Sequence, residues 1–171
     1  MLDKLIDLFV SWVELLKFWV VLLPYEEGVQ LRLGKFHRVL ACGSFYWVIP
    51  LGIDHCITHN VVPITHSLGD ESSTTKDGKS IGFSSVVTYQ VRDIRKALLD
   101  VEDVTHAVLD ACSGEIGRVL RESTWEESLR SDMVDKLTAA CRKRGFRFGI
   151  EIMAVQLAGI SLVRSIRLMS K

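Results

Sequence analysis

The order of hydrophobic patterns along this 171-residue chain predicts an α+β fold of antiparallel strands, then helices, then a final strand. Between residues 25 and 91, apolar and polar side chains alternate, which is typical of half-buried strands. Residues 94–143 repeat apolar side chains at intervals of three and four, which is typical of helices packed on a core. Residues 146–157 alternate again, and an amphipathic membrane helix is predicted to precede the whole domain.

Residues 1–23 are predicted to form that amphipathic helix. Its polar residues lie three and four positions apart and form one stripe: Lys4, Asp7, Ser11 and Glu14. Nearly every other side chain is large and apolar. The side chains predicted to bind a membrane are Leu2, Ile6, Phe9, Val10, Trp12, Val13, Leu16, Phe18, Trp19, Val20 and Leu23.

The charges on this segment argue against a helix that spans a bilayer. A spanning helix needs about 20 nearly uncharged apolar residues, and the uninterrupted apolar run here covers only residues 18–23. A helix in the interface of the cytoplasmic leaflet keeps the charges out of the hydrocarbon. Trp12 and Trp19 suit that interface because indole has an apolar body and a polar N–H. Two alternatives stay open: a helix packed on the protein's own core or a partner, and a tilted helix whose polar stripe faces inward in an oligomer.

The composition argues against two classes of protein. With 21 basic and 21 acidic residues the net charge is +0, so no excess of positive charge exists for general nucleic-acid binding. The four cysteines are scattered without a C-x-x-C pair, which indicates free thiols in a reducing compartment rather than a disulfide framework. The length suits one domain with an appendage.

The first strand is predicted within residues 25–39. Val29 and Leu31 alternate with Gln30 and Arg32, which indicates a strand with one buried face. A glycine then permits a turn, and a second short strand is expected to follow it.

Residues 43–54 form a dense aromatic and aliphatic patch that contains Phe45, Tyr46, Trp47 and Ile49. A proline near its end indicates a loop or an edge strand. We expect most of these four side chains to lie in the core. The alternative is that they make a second membrane contact beside the N-terminal helix.

The next segments are predicted to be extended. Residues 55–67 continue as strand, residues 70–78 are polar and turn-rich, and residues 80–91 give the clearest strand in the chain. The buried face of that last strand is predicted to carry Ile81, Phe83, Val87, Tyr89 and Val91.

Helices are predicted over residues 94–99, 104–122 and 131–143, with Gly145 ending the third. The side chains of the third helix predicted to point inward are Met133, Val134, Leu137 and Cys141.

Three helix starts carry capping signals. Asp93 and Asp103 precede the first two helices as candidate N-caps. Thr124 and Glu127 lie three residues apart, which is the capping-box pattern and predicts that a helix restarts there.

The C-terminal part is predicted to be a strand followed by the start of a helix at residues 160–171. The strand is expected to place Phe148, Ile150 and Ile152 on one face and Met153, Val155 and Leu157 on the other.

No arrangement of residues indicates catalysis, a metal site or a cofactor. In a strand, His55 and His59 share one face while Cys56 points away, so the three do not converge on a metal. A small basic cluster ends the third predicted helix: Arg142, Lys143, Arg144 and Arg147. These charges are expected either to stabilise the helix C-terminus or to contact anionic headgroups or an acidic neighbouring subunit.

Four stretches follow one another in a recognisable order and spacing. Residues 26–35 carry E-x-G-V-x-x-R-x-G-K, and residues 43–50 are similar to G-L-x-F-x-x-P. Residues 75–78 carry T-K-D-G and are followed at residues 86–91 by a segment similar to V-x-Y-x-V. The fourth stretch comprises residues 111–118, 149–152 and 155–157. Together they resemble the strand, turn, hairpin, helix and final strand of the stomatin/prohibitin/flotillin/Hfl family, the SPFH or band 7 domain.

The resemblance implies an SPFH domain over residues 25–163, after a membrane-associated helix over residues 1–24 and before the start of a C-terminal helix over residues 164–171. It implies a non-enzymatic, membrane-associated scaffold that assembles side by side into ring- or cage-like homo-oligomers. Such assemblies are expected to organise a patch of membrane lipids or to hold membrane proteins such as proteases.

The sequence departs from the family pattern at its C-terminal end. Family members usually continue into a long coiled coil, whereas this sequence stops at Lys171, so we expect a short member that lacks the coiled coil. The alternative function is a soluble adaptor or inhibitor of a single partner protein, or of longer relatives, that docks through the first helix.

Overall fold

A computed structural model describes residues 18–163 of the chain. Two sets of predictions therefore lie outside the described residues. The first is the part of the predicted membrane-binding helix that covers residues 1–17, with Leu2, Ile6, Phe9, Val10, Trp12, Val13 and Leu16. The second is the start of a C-terminal helix at residues 164–171.

In the first half of the described chain, all the regular elements are strands. It consists of β1 (Trp19–Val21), β2 (Glu26–Arg32), β3 (Lys35–Leu40), β4 (Phe45–Trp47) and β5 (Asp54–Asn60). β1 pairs with β4 in a two-stranded sheet, and β3, β2 and β5 form a three-stranded antiparallel sheet in that order.

The predicted N-terminal helix does not extend over Trp19–Val21, because these residues are a strand. Their partner is β4, and the backbone pairing continues past the strand where the N–H of Leu22 donates to the carbonyl of Ser44 at 3.0 Å. Tryptophan and β-branched valine favour strands. Pairing with residues more than 20 positions away therefore overrides the local helical spacing.

The second half is a three-stranded sheet covered by helices. The sheet has the order β6 (Ile64–Thr74), β7 (Ser80–Val91), β8 (Ile150–Leu162), and all its pairs are antiparallel. Strand β7 has the predicted bounds, and its five predicted inward side chains are buried.

Four α-helices complete the fold of residues 18–163: α1 (Ile94–Leu99), α2 (Val104–Glu122), α3 (Trp125–Ser128) and α4 (Asp132–Gly145). The caps are confirmed. Asp93 and Asp103 accept N-cap hydrogen bonds, and Thr124 with Glu127 forms a complete capping box. The core lies between the helices and the second sheet, with Val87, Ile116, Leu137 and Ile152 fully buried at its centre.

Several boundaries and faces differ from the prediction. Strand β6 runs to Thr74 across the segment predicted to be turn, because pairing with β7 holds its polar residues in extended conformation. Val134 is exposed rather than inward, since it lies at the edge of the buried helical stripe. Gly145 does not end the helical region, because a 3-10 turn at Phe146–Phe148 follows it. The helical region ends at Gly149, which has a left-handed φ of +73°.

The final strand also differs. Residues 146–148 are not part of it, and it continues to Leu162, so no helix starts at Ile160. A bulge beside Met153 places Ile152 and Val155 on the same buried face and leaves Met153 exposed. An extra residue shifts the period-2 alternation, which is why the predicted faces are wrong beyond Ile152.

Candidate membrane-contact surface

One face of the β1–β4 pair is entirely apolar and exposed. Trp19 lies directly opposite Trp47, and Val21 lies opposite Phe45. Their exposed fractions are 49% for Trp19, 67% for Trp47, 63% for Val21 and 51% for Phe45. Side chains directly opposite on an antiparallel pair share a face, so these four make one continuous surface, which we call the aromatic face.

The aromatic face is packed within itself and extended by neighbouring loops. The rings of Phe45 and Trp47 meet edge to face with centroids 5.5 Å apart. Ile49 and Leu51 are also exposed in the loop that follows β4. The N–H of Leu33 donates to the carbonyl of Ile53 at 2.7 Å, so the β2–β3 turn lies beside this loop. Contiguous exposed apolar surface is typical of interaction sites.

The prediction that most of the 43–54 patch is core is therefore wrong. Phe45, Trp47 and Ile49 are exposed, and Tyr46 is half-buried on the opposite side of β4. The physical reason is that no layer of residues 18–163 packs over this face of the β1–β4 pair, so its apolar side chains stay exposed.

Tyr46 and Arg38 attach the β1–β4 pair to the β3–β2–β5 sheet. The guanidinium of Arg38 lies 4.8 Å from the centre of the Tyr46 ring, which is a cation–π contact. It also donates to the side-chain oxygen of Gln30 at 2.6 Å and to the carbonyl of Trp47 at 3.2 Å. The Tyr46 hydroxyl accepts from the N–H of Ala41 at 2.9 Å. These contacts fix the orientation of β4.

A buried carboxylate anchors the loop after β4. Asp54 has no exposed side-chain surface, and it accepts hydrogen bonds from Arg32 at 2.8 Å, from Gln30 at 2.7 Å and from the N–H of Ile49 at 2.8 Å. The hydrogen bond from Arg32, aided by those from Ile49 and Gln30, holds the pKa of Asp54 well below its usual range although burial opposes this. The loop that carries Ile49 and Leu51 is therefore tied to β2.

The predicted membrane-binding residues at positions 18–23 divide between two sides. Phe18 and Trp19 are exposed with ring centroids 5.9 Å apart. Val20 points to the opposite side of β1 and is half-buried, while Leu23 is exposed after the strand. Sequence reasoning missed Val21, and the signal that could have found it was the alternation of this short segment read as strand.

The predicted basic cluster is not one patch. Arg144 turns toward α2 and pairs with the buried carboxylate of Glu115, which Arg118 also contacts. Arg142 donates to the carbonyls of Ile152 and Met153 at 3.0 and 3.2 Å. Lys143 lies beside a groove that Arg142 also lines. Helical geometry separates residues adjacent in sequence by about 100°, so the cluster spreads around the helix.

The histidine and cysteine residues of β5 are arranged as the strand period predicts. His55 pairs opposite Leu31 and His59 opposite Glu27, which puts them on one face, while Cys56 pairs opposite Gln30 on the other. Within residues 18–163, no group of three potential metal ligands converges. In the same part of the chain, none of the helices has the length and apolar character needed to cross a membrane.

Comparison with known proteins gives one family. A sequence model of the SPFH domain / Band 7 family matches residues 20–167. An uncharacterized protein of Archaeoglobus fulgidus is 25% identical over 84% of this chain, which spans 57% of that protein's length. An uncharacterized protein of Methanocaldococcus jannaschii is 25% identical over 92% of this chain and 83% of its own length. A protein of Acanthamoeba polyphaga mimivirus that carries the band 7 family name is 27% identical over 60% of this chain and 38% of its own length.

Proposed function

The chain belongs to the SPFH domain / Band 7 family, and from this premise we propose that it is a membrane-bound scaffold whose aromatic face lies in the lipid interface. Members of the family are generally non-enzymatic scaffolds associated with membranes. The observation that carries the proposal for this chain is the exposed apolar surface of Trp19, Val21, Phe45 and Trp47. Tryptophan and other aromatic side chains are favoured at the membrane interface.

The strength of this contact explains why assembly is part of the proposal. Fully burying one large apolar side chain contributes about 1.5–3 kcal/mol, and the domain itself already covers about a third to a half of each of these four. One copy therefore binds a membrane weakly and reversibly. Several copies held side by side bind far more tightly, because each further contact is made at high effective concentration. Homo-oligomers on the cytoplasmic leaflet, in rings or cages, are the form that we propose.

The segment at residues 1–17 extends the same contact. The chain enters the described fold at Phe18, which is itself exposed and adjoins the aromatic face. An amphipathic helix at residues 1–17 that binds through Phe9 and Trp12 would continue the apolar surface without crossing the bilayer. The assembled domains then organise a patch of lipid or hold membrane proteins such as proteases.

Vesicle flotation with single substitutions tests the proposal. Trp47→Asp places a charge on the aromatic face, so we expect vesicle binding to fall at least about tenfold, since a charge in the bilayer interface opposes insertion. Leu129→Asp is the matched control, because Leu129 is 56% exposed on the α3–α4 turn, away from the aromatic face. The control is expected to bind as the unsubstituted protein does.

The outcomes separate the two proposed anchors. If Trp47→Asp floats with vesicles as well as the control does, the aromatic face is not the membrane contact. If Phe9→Asp with Trp12→Asp retains binding, the helix at residues 1–17 is not an anchor. Mass measurement of the detergent-extracted protein, with and without added lipid, tests assembly: a monodisperse monomer in both conditions would contradict the scaffold.

A further inference from the structure

The exposed face of α4 carries a regular stripe of five residues. They lie three or four positions apart and all are exposed, with Phe146 just beyond the helix end: Asp132, Asp135, Ala139, Lys143 and Phe146. This spacing places them on one face of the helix. We call this set the α4 stripe. It lies opposite Leu137 and Cys141, which pack into the core.

The charges of the α4 stripe are opposite at its two ends. Asp132 and Asp135 form the N-terminal half, and Lys143 forms the C-terminal half. Ala139 is midway between Asp135 and Lys143, about 6 Å along the axis from each at 1.5 Å per residue. Within residues 18–163, neither Asp135 nor Lys143 makes an ion pair, whereas Asp132 is paired with Lys136 at 3.0 Å.

A groove of about 960 Å³ runs beside the stripe. Ala139, Lys143 and Phe146 line one side, and Val39 and Ile94 contribute apolar surface across from them. Phe146 is 75% exposed, which is unusual for so large an apolar side chain. The small side chain of Ala139 leaves room for another helix to approach closely at the middle of the α4 stripe.

This groove lies on the opposite side of the β3–β2–β5 sheet from the aromatic face. Arg38 and Val39 are successive residues of β3, so their side chains point to opposite faces. Arg38 contacts Tyr46 under the aromatic face, whereas Val39 lines the groove. The α4 stripe therefore stays accessible when the aromatic face is against a membrane.

We propose that the α4 stripe binds the α4 stripe of a second copy, antiparallel, about a two-fold axis that passes near Ala139. In this arrangement Asp135 of each copy lies opposite Lys143 of the other, so two ion pairs form for one contact. Phe146 of each copy, seven residues beyond Ala139, lies opposite Asp132 of the other, seven residues before it. The inference rests on the proposed self-assembly of the scaffold and assigns it a specific surface.

The charge pattern favours a second copy over a lipid or a single-charged ligand. The groove carries charges of both signs: Arg92, Lys96, Arg142 and Lys143 against Glu27, Asp93 and Glu151. On the stripe itself, a ligand of one sign matches either Asp135 or Lys143 and is repelled by the other. A helix with the reversed order of charges matches both halves at once. A two-fold contact closes on itself, so it makes pairs of copies, and larger assemblies need another surface.

Charge reversal with compensation tests the pairing. Asp135→Lys and Lys143→Asp each turn two attractions into two repulsions. We therefore expect the dissociation constant of the dimer to rise at least about tenfold in low salt. The double variant Asp135→Lys with Lys143→Asp restores opposite charges across the axis and is expected to dimerise as the unsubstituted protein does. Sedimentation velocity over a dilution series measures all three.

Matched controls reverse exposed charges elsewhere. Asp110→Lys and Arg121→Glu lie on the exposed side of α2, outside the α4 stripe, and are expected to leave the dimer unchanged. Circular dichroism of each variant confirms that it is folded. An unsubstituted protein that is monomeric at every concentration overturns the proposal, and so does failure of the double variant to regain the dimer.

A cross-link tests the axis itself. With Cys42 replaced by Ser, Ala139→Cys puts one exposed thiol next to its own symmetry mate, so a short bis-maleimide is expected to give covalent dimers. Asp110→Cys in the same background is expected to give none. Vesicle flotation separates the two proposals: if Lys143→Asp binds vesicles normally and the protein still assembles, the scaffold stands and the α4 contact is wrong.

Discussion

Asp54 and Arg32 lie directly opposite each other on β5 and β2, and both carboxylate oxygens of Asp54 accept from the guanidinium, at 2.8 and 3.0 Å. This two-point geometry is the strong form of the ion pair. The same carboxylate holds the N–H of Ile49, so it connects the first sheet to the loop beside the aromatic face.

Asp54→Asn is expected to destabilise the fold by about 1–3 kcal/mol, because it leaves the donors around a buried acceptor poorly satisfied. Since folding lowers the pKa of Asp54, its contribution is complete above the usual carboxyl range and is lost as the pH falls toward the folded value. Urea unfolding at pH 7 and at about pH 3 measures this. The difference in the free energy of unfolding between Asp54→Asn and the unsubstituted protein should be smaller at about pH 3 than at pH 7. An equal difference at both pH values would contradict the lowered pKa of Asp54.

Asp77 connects the β6–β7 turn to the start of α3, since its carboxylate accepts from the N–H of Trp125 at 3.1 Å. Hydrogen bonds from Thr75, then Lys79 and Trp125, lower the pKa of Asp77 to about 2. Asp77→Ala is therefore expected to lower the thermal midpoint at pH 7, with an effect that fades below about pH 4. Asp70→Ala, on the exposed face of β6, is the control. Equal midpoints for the two variants would show that the contact is not stabilising.

Glu115 is a nearly buried carboxylate of α2 that is joined to α4 through Arg144 and also pairs with Arg118 on its own helix. Burial raises the pKa of Glu115, but hydrogen bonds from Arg144 and Arg118 outweigh it and the net direction is down. Glu115→Gln is expected to cost about 1–3 kcal/mol rather than more, because both arginines reach solvent and can be hydrated once the charge is gone. Unfolding in guanidinium chloride, followed by circular dichroism, measures this difference in the free energy of unfolding. Glu122→Gln, which removes only an exposed partner of Arg118, should cost much less.

Gly149 and Gly114 are expected to respond in opposite directions to alanine. Gly149 has φ +73°, and an added Cβ would lie 2.6 Å from the carbonyl oxygen of Asp93. The left-handed conformation alone costs about 1–2 kcal/mol for alanine, so Gly149→Ala should destabilise by more than that. Gly114 lies exposed within α2 with open space around it, so Gly114→Ala should stabilise by about 0.5–1 kcal/mol. Thermal unfolding of both variants measures the two stability changes. Changes of the same sign would contradict the prediction.

The sequence by itself determined the elements whose signals are local. Strand β7 and helix α2 have the predicted bounds, and the caps at Asp93, Asp103 and Thr124 are where the capping patterns placed them. Periodicity and capping depend on residues within one or two turns of each other, so a single sequence contains the information. The order of strands and helices followed from the same signals, and the resemblance of four stretches to the SPFH domain gave the family, which the family model confirms.

Only the tertiary structure decided which apolar residues are covered. Trp19–Val21 satisfy a helical pattern but form a strand, because their hydrogen-bond partners are at Phe45–Trp47. Gln30 is polar yet completely buried, because Arg38 and Asp54 satisfy its amide. Hydrophobicity indicates that a side chain can be buried, whereas the element that packs over its face decides whether it is buried. The aromatic face exists because no layer of residues 18–163 packs over that side of the β1–β4 pair, and no local pattern contains that fact.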